Sequence, residues 1–450
     1  MEDNLVVMAY EGEAAVKLNK ACAGEGDRVR VAKGSAVFEG ILLPRTDAGG
    51  GECLVVKLDN GYNVGIGAKG AGVEKLAAKK TVLEKFASKR MTPMKGLPEV
   101  ALVATGGTIA SRVDYATGGV KMVLTPEELF AAVPELEGVA AISSVSTPFT
   151  IASEDMTPRE WAKIATEVGK QLNAGATGAI VTHGTDTLAY TAAALSFMLR
   201  GSKPVAVVGA QRSPDRASFD GAMNLVCGAH YAKSNYGEVA VVMHGTPSDD
   251  YCYAHRGTKV RKMHSSRRDA FRSVNDKPLA KIWPDGKIEG TNAKARKRVD
   301  GSVMVDAGFE EKTALVKLYP GAPAEQLDWL TDKGYKGVVI EAYGLGHTPT
   351  QTFEKNKSWL KAVGRCAEEG AVVAVATQCL YGRTNPFVYV NLRLMGAQGV
   401  TYCGDMLPET AFVKLGWLLA KFKDPAKVRE ELLKDYAGEL NPRLTEEDFV

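Results

Sequence analysis

Four apolar runs, Val100–Ala104, Ala179–Thr182, Val205–Gly209 and Val239–Met243, are built almost wholly from valine, isoleucine, leucine and alanine, with no polar residue at every second place. A strand with one wet face alternates; a strand without alternation is covered on both faces, as in a parallel sheet between helices. Helix-length segments, Pro158–Asn173, Thr187–Arg200 and Ser218–Ser234, separate the runs. Thr157 is placed as an N-cap, with Pro158 at the first helical position. Alternating strands and helices predict an α/β domain. A second α/β series follows: a strand at Ala314–Leu318, a helix near Ala324–Lys333, strands at Gly337–Ala342 and Ala371–Thr377 around a helix near Gln351–Glu369, and helices from Pro408 and Pro425. The polar, basic, proline-interrupted stretch Asp276–Asp300 reads as a connection.

The first ninety or so residues have a different texture. Asp27–Ala32, Val37–Leu43, Cys53–Leu58 and Tyr62–Ile66 are short and β-like, with glycine-rich turns between them. Asn60-Gly61 is a hairpin signal, because both turn positions need positive φ. This spacing predicts a small β-barrel. Val73–Arg90 reads as a basic helix or linker, and Met91–Pro98, with two prolines and a glycine, as a boundary. The expected organisation is a barrel domain at 1–73, a basic helix or linker at 74–97, a first α/β domain at 98–293, a linker at 294–312 and a second α/β domain at 313–450. A chain of 450 residues is long enough for about three domains.

Several classes of function are disfavoured. The longest apolar runs are strand-length, short of the ~18 residues of a membrane span. The start, Met-Glu-Asp-Asn, lacks the basic and apolar regions of a secretory signal, so a cytoplasmic protein is expected. Seven cysteines never fall in a CxxC pair and six histidines never in HExxH; buried thiols and ordinary histidines are expected rather than a metal site. The net charge of +3 does not by itself imply nucleic acid. Basic residues do cluster at Glu74–Lys95, Arg256–Arg272 and Lys294–Arg298, the last read as a solvated connection.

Two blocks carry the chemistry: T-G-G-T-I-A at Thr105–Ala110 and H-G-T-D-T at His183–Thr187. Each follows a strand-like run, and ligands of open α/β sheets sit beyond the carboxyl ends of strands. That places Thr108 and Thr185-Asp186 at one crevice. Thr105-Gly106-Gly107 is neither a dinucleotide fingerprint nor a P-loop, so its glycines are read as bringing backbone N–H groups to a small substrate. A threonine hydroxyl needs a base before it is a useful nucleophile. His183 is assigned a structural role at the strand end. A lysine is the alternative, and must lose its proton to act, since its ordinary pKa is about 10.4. Lys262 stands among Lys259, Arg261, Arg267 and Arg268, and the residues alone do not single it out. The competing reading makes Thr108, Thr185 or Asp186 simple helix caps.

From about Leu97 onward the chain resembles the L-asparaginase-type amidohydrolases. The resemblance rests on A-T-G-G-T-I-A, Ser153–Met156 (S-E-D-M), V-T-H-G-T-D-T, Val208–Arg212 (V-G-A-Q-R), Lys262–Asn275 (K-x8-F-R-S-V-N) and Gly404–Glu409 (G-D-M-L-P-E), in that order. It implies a two-domain asparaginase-like α/β fold, a first nucleophile at Thr108 assisted by Tyr115, and a triad of Thr185, Asp186 and Lys262. Ser153 and Glu154 would grip the substrate's α-carboxylate and α-amine, with Glu154 where glutamine is common in the family; Ala210 and Gln211 would sit by the scissile amide. No cofactor or metal is implied in this chain.

The N-terminal extension, with G-D-R-V-R-V and L-V-V-K-L-D-N-G-Y-N, resembles the SH3-like β-barrel of the D-subunit family of archaeal glutamyl-tRNA(Gln) amidotransferases. That implies glutamine hydrolysis, with ammonia passed to a partner, the amidotransferase E-subunit, that uses ATP and magnesium to amidate Glu-tRNA(Gln). It also implies a homodimer within an α2β2 complex, with the tRNA held mainly by the partner and no membrane contact. Two other readings are a stand-alone asparaginase with an accessory barrel, and a non-catalytic scaffold that binds RNA or protein.

Overall fold

The computed structural model describes residues 10–43, 52–58, 63–78, 96–113, 120–122, 133–214 and 219–449. The chain divides into two compact units: residues 1–92, 106–134 and 210–222 in the first, and 93–105, 135–209 and 223–450 in the second.

The first unit opens with helix α1 (Gly12–Lys20), in a stretch where the sequence gives no element. Strands β1 (Arg28–Lys33), β2 (Ala36–Leu42), β3 (Cys53–Leu58), β4 (Asn63–Gly67) and β5 (Ala71–Ala77) form one antiparallel sheet in the order β4-β3-β2-β1-β5. Val29 and Val31 of β1 point inward, to a core shared with Leu42, Leu54, Val56, Ile66 and the α1 residues Ala14 and Leu18. Arg30, between the two valines, pairs outward with Glu39 and Glu74. Asn60-Gly61 lies outside the described residues, but the strands around it pair antiparallel with Lys57 opposite Asn63.

The helix or linker expected from Val73 begins instead as strand. Residues through Ala77 belong to β5, because their backbone pairs with β1 in the register Val73 opposite Val31. The basic run beyond it falls outside the described residues. Further elements of this unit are a 3-10 turn at Thr108–Ala110 and a hairpin of β7 (Ser111–Val113) and β8 (Val120–Met122).

The second unit is built on an eight-stranded sheet. Its parallel part runs β13 (Val239–His244), β12 (Val205–Val208), β10 (Gly178–Thr182), β6 (Glu99–Ala104), β9 (Ala141–Ser146). The residues of β10, β12 and β13 are all buried, as their apolar runs require, with the polar Thr182 and His244 at the ends of β10 and β13 buried too. Helix α2 (Pro158–Asn173) starts with a capping box between Thr157 and Glu160. It lays Trp161, Ile164, Val168 and Leu172 against Val103 and Val181, and helix α3 (Leu188–Met198) adds Leu195 and Phe197. Helix α4 (Gly221–Ala232) precedes β13.

The sheet is not wholly parallel. Strands β14 (Cys252–Arg256), β17 (Ala280–Ile282) and β18 (Ile288–Gly290) extend it antiparallel, so the expected connection Asp276–Asp300 contains two strands, of which β18 is the sheet edge. The expected linker 294–312 likewise holds β19 (Val299–Val305), paired with β11 (Leu199–Ser202). Asn173 fixes that strand, since its side chain bonds both the N–H and the carbonyl of Val303. Polar composition hid these strands because they are short and exposed on one side.

A second sheet takes β20 (Thr313–Lys317), β21 (Gly337–Ala342), β22 (Val372–Thr377) and β23 (Thr401–Tyr402), all parallel. Val339 and Ala374 face a core with Leu415 and Leu418 of α8 (Pro408–Lys421). Val338 and Ile340 face Leu327 of α5 (Glu325–Asp332), and Trp359 and Val363 at the start of α6 (Leu360–Glu368). The helix expected from Gln351 starts only at Leu360: Ser358 Oγ donates to the Thr350 carbonyl, and Trp359 N–H to that of Pro349, which holds the chain out of helix. Helices α7 (Val390–Ala397) and α9 (Pro425–Leu432) complete the unit. No described helix is long and apolar enough to cross a membrane.

Candidate active site

In the second unit the two motif-bearing strands are neighbours: β6 and β10 pair in parallel, Ala104 opposite Thr182. Thr105 stitches their ends together, giving both its N–H and its hydroxyl to the Thr182 carbonyl. The chain leaving β10 is then fixed by His183. Its N–H bonds the Val208 carbonyl, its Nδ1 donates to the Gly184 carbonyl at 2.7 Å, and its Nε2 accepts the Thr191 hydroxyl at 2.8 Å. Burial lowers its pKa to about 4, so the ring is neutral and acts as a brace, the structural role expected of it.

Gly184 has a clear reason to be glycine. A Cβ there would lie 2.7 Å from Cβ and Oγ of Ser153, so only a bare backbone lets the two turns meet. Ser153 is buried at the start of a 3-10 turn, Ser153–Asp155, and its carbonyl accepts the Thr187 hydroxyl at 2.7 Å. Glu154 is exposed in that turn. Thr187 occupies the N-cap position of α3 without a side-chain cap bond, so capping does not explain this block.

The Lys262 amine donates to Thr185 Oγ1 and to Asp186 Oδ1, both at 2.8 Å. Thr185 is 7% exposed, whereas the Asp186 side chain is 65% exposed and open to an incoming cation. The structure thus singles out Lys262 from the basic cluster around it. It rides on β15 (Val260–Lys262), paired with β16 (Phe271–Ser273), where Lys262 stands opposite the buried Phe271. Its neighbours face other partners: Arg267 pairs with Asp269, and Arg268 with Asp249.

Strand β15 is held from the C-terminal half of the same unit. Lys259 and Asp405, both fully buried, form an ion pair at 2.5 Å. Arg261 pairs with Glu409 at 2.9 Å, and Thr410 donates to the Thr258 carbonyl at 2.9 Å. The motif Gly404–Glu409 therefore serves to anchor the strand that carries Lys262. Asn275, at φ 57° just after β16, braces the same end: its Nδ2 donates to the carbonyls of Asp405 and Gly382, and its Oδ1 accepts from the Gly382 N–H. Sequence reasoning missed Lys259 and Asp405 as a pair, because 146 residues separate them.

The remaining candidates belong to the first unit. Thr108 is half-buried and follows Gly106 and Gly107, at φ 109° and 83°, conformations that a side chain would strain. Ser111 Oγ donates to the Gly107 carbonyl at 2.7 Å and steadies the turn. Ala210 is buried, and the Gln211 N–H and Arg212 N–H both bond the carboxylate of Asp220, a loop-ordering residue that sequence reading overlooked. Tyr115 lies outside the described residues. Four of the seven free cysteines, Cys227, Cys252, Cys366 and Cys403, are buried as expected, while Cys22 and Cys379 are exposed.

Residues 99–296 match the asparaginase N-terminal family, 312–432 the glutaminase/asparaginase C-terminal domain, and 23–76 the GatD N-terminal domain. The chain is 51% identical over 433 residues to the glutamyl-tRNA(Gln) amidotransferase D-subunit of Thermococcus kodakarensis, covering 95% of this chain and 97% of that one. It belongs to the D-subunit family. A further D-subunit, from Methanopyrus kandleri, is 45% identical over 450 residues, covering 97% and 95%. Among solved structures, the thermostable L-asparaginase of Thermococcus kodakarensis superposes with a TM-score of 0.67 at 26% identity, covering 77% of this chain and all of the other. L-asparaginase I of Vibrio cholerae gives 0.65 at 28%, with the same coverage. The asparaginases thus account for about three quarters of the chain, and the D-subunit relatives for nearly all of it.

Proposed function

We propose that this chain hydrolyses the side-chain amide of glutamine and supplies the ammonia to a partner protein that converts Glu-tRNA(Gln) to Gln-tRNA(Gln). The carrying observation is the Lys262 amine within 2.8 Å of both Thr185 Oγ1 and Asp186 Oδ1, in a chain that matches the D-subunit relatives from its barrel domain onward. Thr108 is assigned the first attack, its hydroxyl oxygen bonding to the amide carbon. Thr185 and Lys262 are assigned the proton transfers: the proton lost by the attacking hydroxyl is passed to the departing nitrogen, which leaves as ammonia. Water then cleaves the resulting ester, releasing glutamate and restoring the threonine. Asp186 and Glu154, both exposed carboxylates, suit the substrate's α-ammonium, and Ser153 suits its α-carboxylate. Tyr115 is assigned an assisting role beside Thr108, and Ala210 and Gln211 a place by the scissile amide.

These steps use only side chains and water. ATP and magnesium belong to the amidation step, assigned to the E-subunit in an α2β2 cytoplasmic complex that holds the tRNA mainly through that partner. The test uses the complex purified with its native partner and measures ammonia release from glutamine and ATP-dependent amidation of Glu-tRNA(Gln). Lys262→Met and Thr185→Ala are expected to lower ammonia release by about 10²–10⁴-fold. In those variants added ammonium salt should restore amidation. Near-wild-type ammonia release from Lys262→Met overturns the catalytic reading. Preference for asparagine, unchanged by partner or tRNA, overturns the amidotransferase reading in favour of a free asparaginase.

A further inference from the structure

Thr185 rests on a backbone position that has its own supports. Gly209 directly follows β12, and a Cβ at that residue would come within 2.9 Å of both Thr185 Cγ2 and the His183 carbonyl. The glycine backbone is therefore packed against the Thr185 methyl. A β-branched side chain has its hydroxyl direction set once its methyl is set, because both hang from one χ1 torsion. Whatever holds Gly209 in place thereby aims Thr185 Oγ1 at Lys262.

Both polar groups of Gly209 are taken by buried side chains of the second unit. Its carbonyl accepts from Asn224 Nδ2 at 2.9 Å, and its N–H approaches Met243 Sδ at 3.3 Å. Asn224 is fully buried and its amide orientation is dictated on both sides. Nδ2 faces acceptors, the Gly209 carbonyl and Met243 Sδ. Oδ1 faces donors, His244 Nδ1 at 2.6 Å and the Cys252 thiol at 3.4 Å. His244 is itself fully buried, and its Nε2 lies 3.0 Å from both Asp249 Oδ1 and Arg268 Nη2. Because Asn224 Nδ2 must face the Gly209 carbonyl, Oδ1 is left to accept from His244, so Nδ1 is the protonated nitrogen and Nε2 accepts from Arg268 Nη2.

We propose that Asn224 and His244 are positioning residues for the hydrolytic reaction: the chain Asp249/Arg268–His244–Asn224–Gly209 fixes the rotamer of Thr185. Neither side chain is assigned contact with the substrate. The inference rests on the role proposed for Thr185, and deepens it.

The decisive variant is Asn224→Asp, which keeps the shape but replaces the donor toward the Gly209 carbonyl with an acceptor. The complex with its native partner is measured for kcat and KM of ammonia release, for thermal midpoint, and for the rate at which an electrophilic glutamine analogue acylates the protein, read by mass spectrometry. The expected result is a fall in kcat of about tenfold or more, KM within about twofold, and acylation slowed in step with kcat. His244→Leu, which removes the Nδ1 donor, should show the same split, and His244→Gln, with a donor amide, should recover part of kcat. Loss of folding in His244→Leu leaves the isosteric Asn224→Asp to decide. An unchanged kcat in folded Asn224→Asp, or equal losses in kcat/KM caused by KM alone, overturns the positioning role. If Thr185→Ala retains activity, the reading of the site has failed instead, and the two failures are told apart.

Discussion

Replacing Asp405 by asparagine tests the idea that Lys262 is held from the far half of its own unit. The Asp405 carboxylate serves three donors: Lys259 Nζ at 2.5 Å, Asn441 N–H at 2.9 Å and Asn441 Nδ2 at 3.0 Å. An amide has one accepting oxygen, so whichever way it turns, its NH2 meets at least one of those donors head-on. The electrostatic loss is larger. Two charges 2.5 Å apart attract by about 7 kcal/mol at an effective dielectric near 20. Removing the aspartate charge recovers its own desolvation cost of several kcal/mol, but leaves the fully buried Lys259 ammonium without the carboxylate it contacts. The net destabilisation expected is about 3–5 kcal/mol, the usual cost of breaking a buried pair from one side.

The assay is urea unfolding followed by tryptophan fluorescence. All five tryptophans, at positions 161, 283, 329, 359 and 417, belong to the second unit, so the signal reports the unit that contains the pair. Ammonia release in mild urea should fail at lower denaturant than in the wild type, because Lys259 lies three residues before Lys262 on the anchored segment. The double variant Lys259→Met/Asp405→Asn should recover part of the lost stability, since it removes the stranded charge. A single variant whose midpoint moves by less than about 1 kcal/mol equivalent would falsify the anchoring argument.

Two further outcomes are expected. Burial lowers the His183 pKa from 6.5 to about 4. Above pH 6.5 the ring is neutral folded or unfolded; as pH falls toward 4 the unfolded chain binds a proton the folded chain excludes, and up to about 3 kcal/mol of stability is lost. His255, lowered by burial to about 3, has the same sign, so urea midpoints from pH 7 to 4 should be compared between wild type and His183→Gln. Identical slopes contradict the assignment. Gly184→Ala, whose methyl would meet Ser153 at 2.7 Å, should cost about 1–3 kcal/mol and raise KM for glutamine as Ser153 shifts. Unchanged KM and midpoint would show that the two turns are not in the contact described.

The buried strands were legible because their chemistry is local: a segment such as Val205–Val208, covered on both faces, has no polar residue to place. The cap at Thr157 and the helix after Pro158 were legible for the same reason. Edge strands such as β18 and β19 were not, because a polar strand with one wet face looks like loop until its partner is known. The β5 segment misled in the other direction, its basic residues suiting a helix until β1 supplied hydrogen bonds. At the site, the threonine blocks announced themselves through glycine and threonine at strand ends. Lys262 did not, since Lys259, Arg261 and Lys262 are alike in composition and differ only in what faces them: Asp405, Glu409 and Thr185. By itself the sequence determined the buried strands and the glycine-threonine turns at their ends, all set by neighbours within a few residues. The family resemblance named Lys262, but only the tertiary structure showed why that lysine meets Thr185 and what holds it there, because those contacts join residues 77 and 146 positions apart, and only the closed fold brings such groups within hydrogen-bond reach.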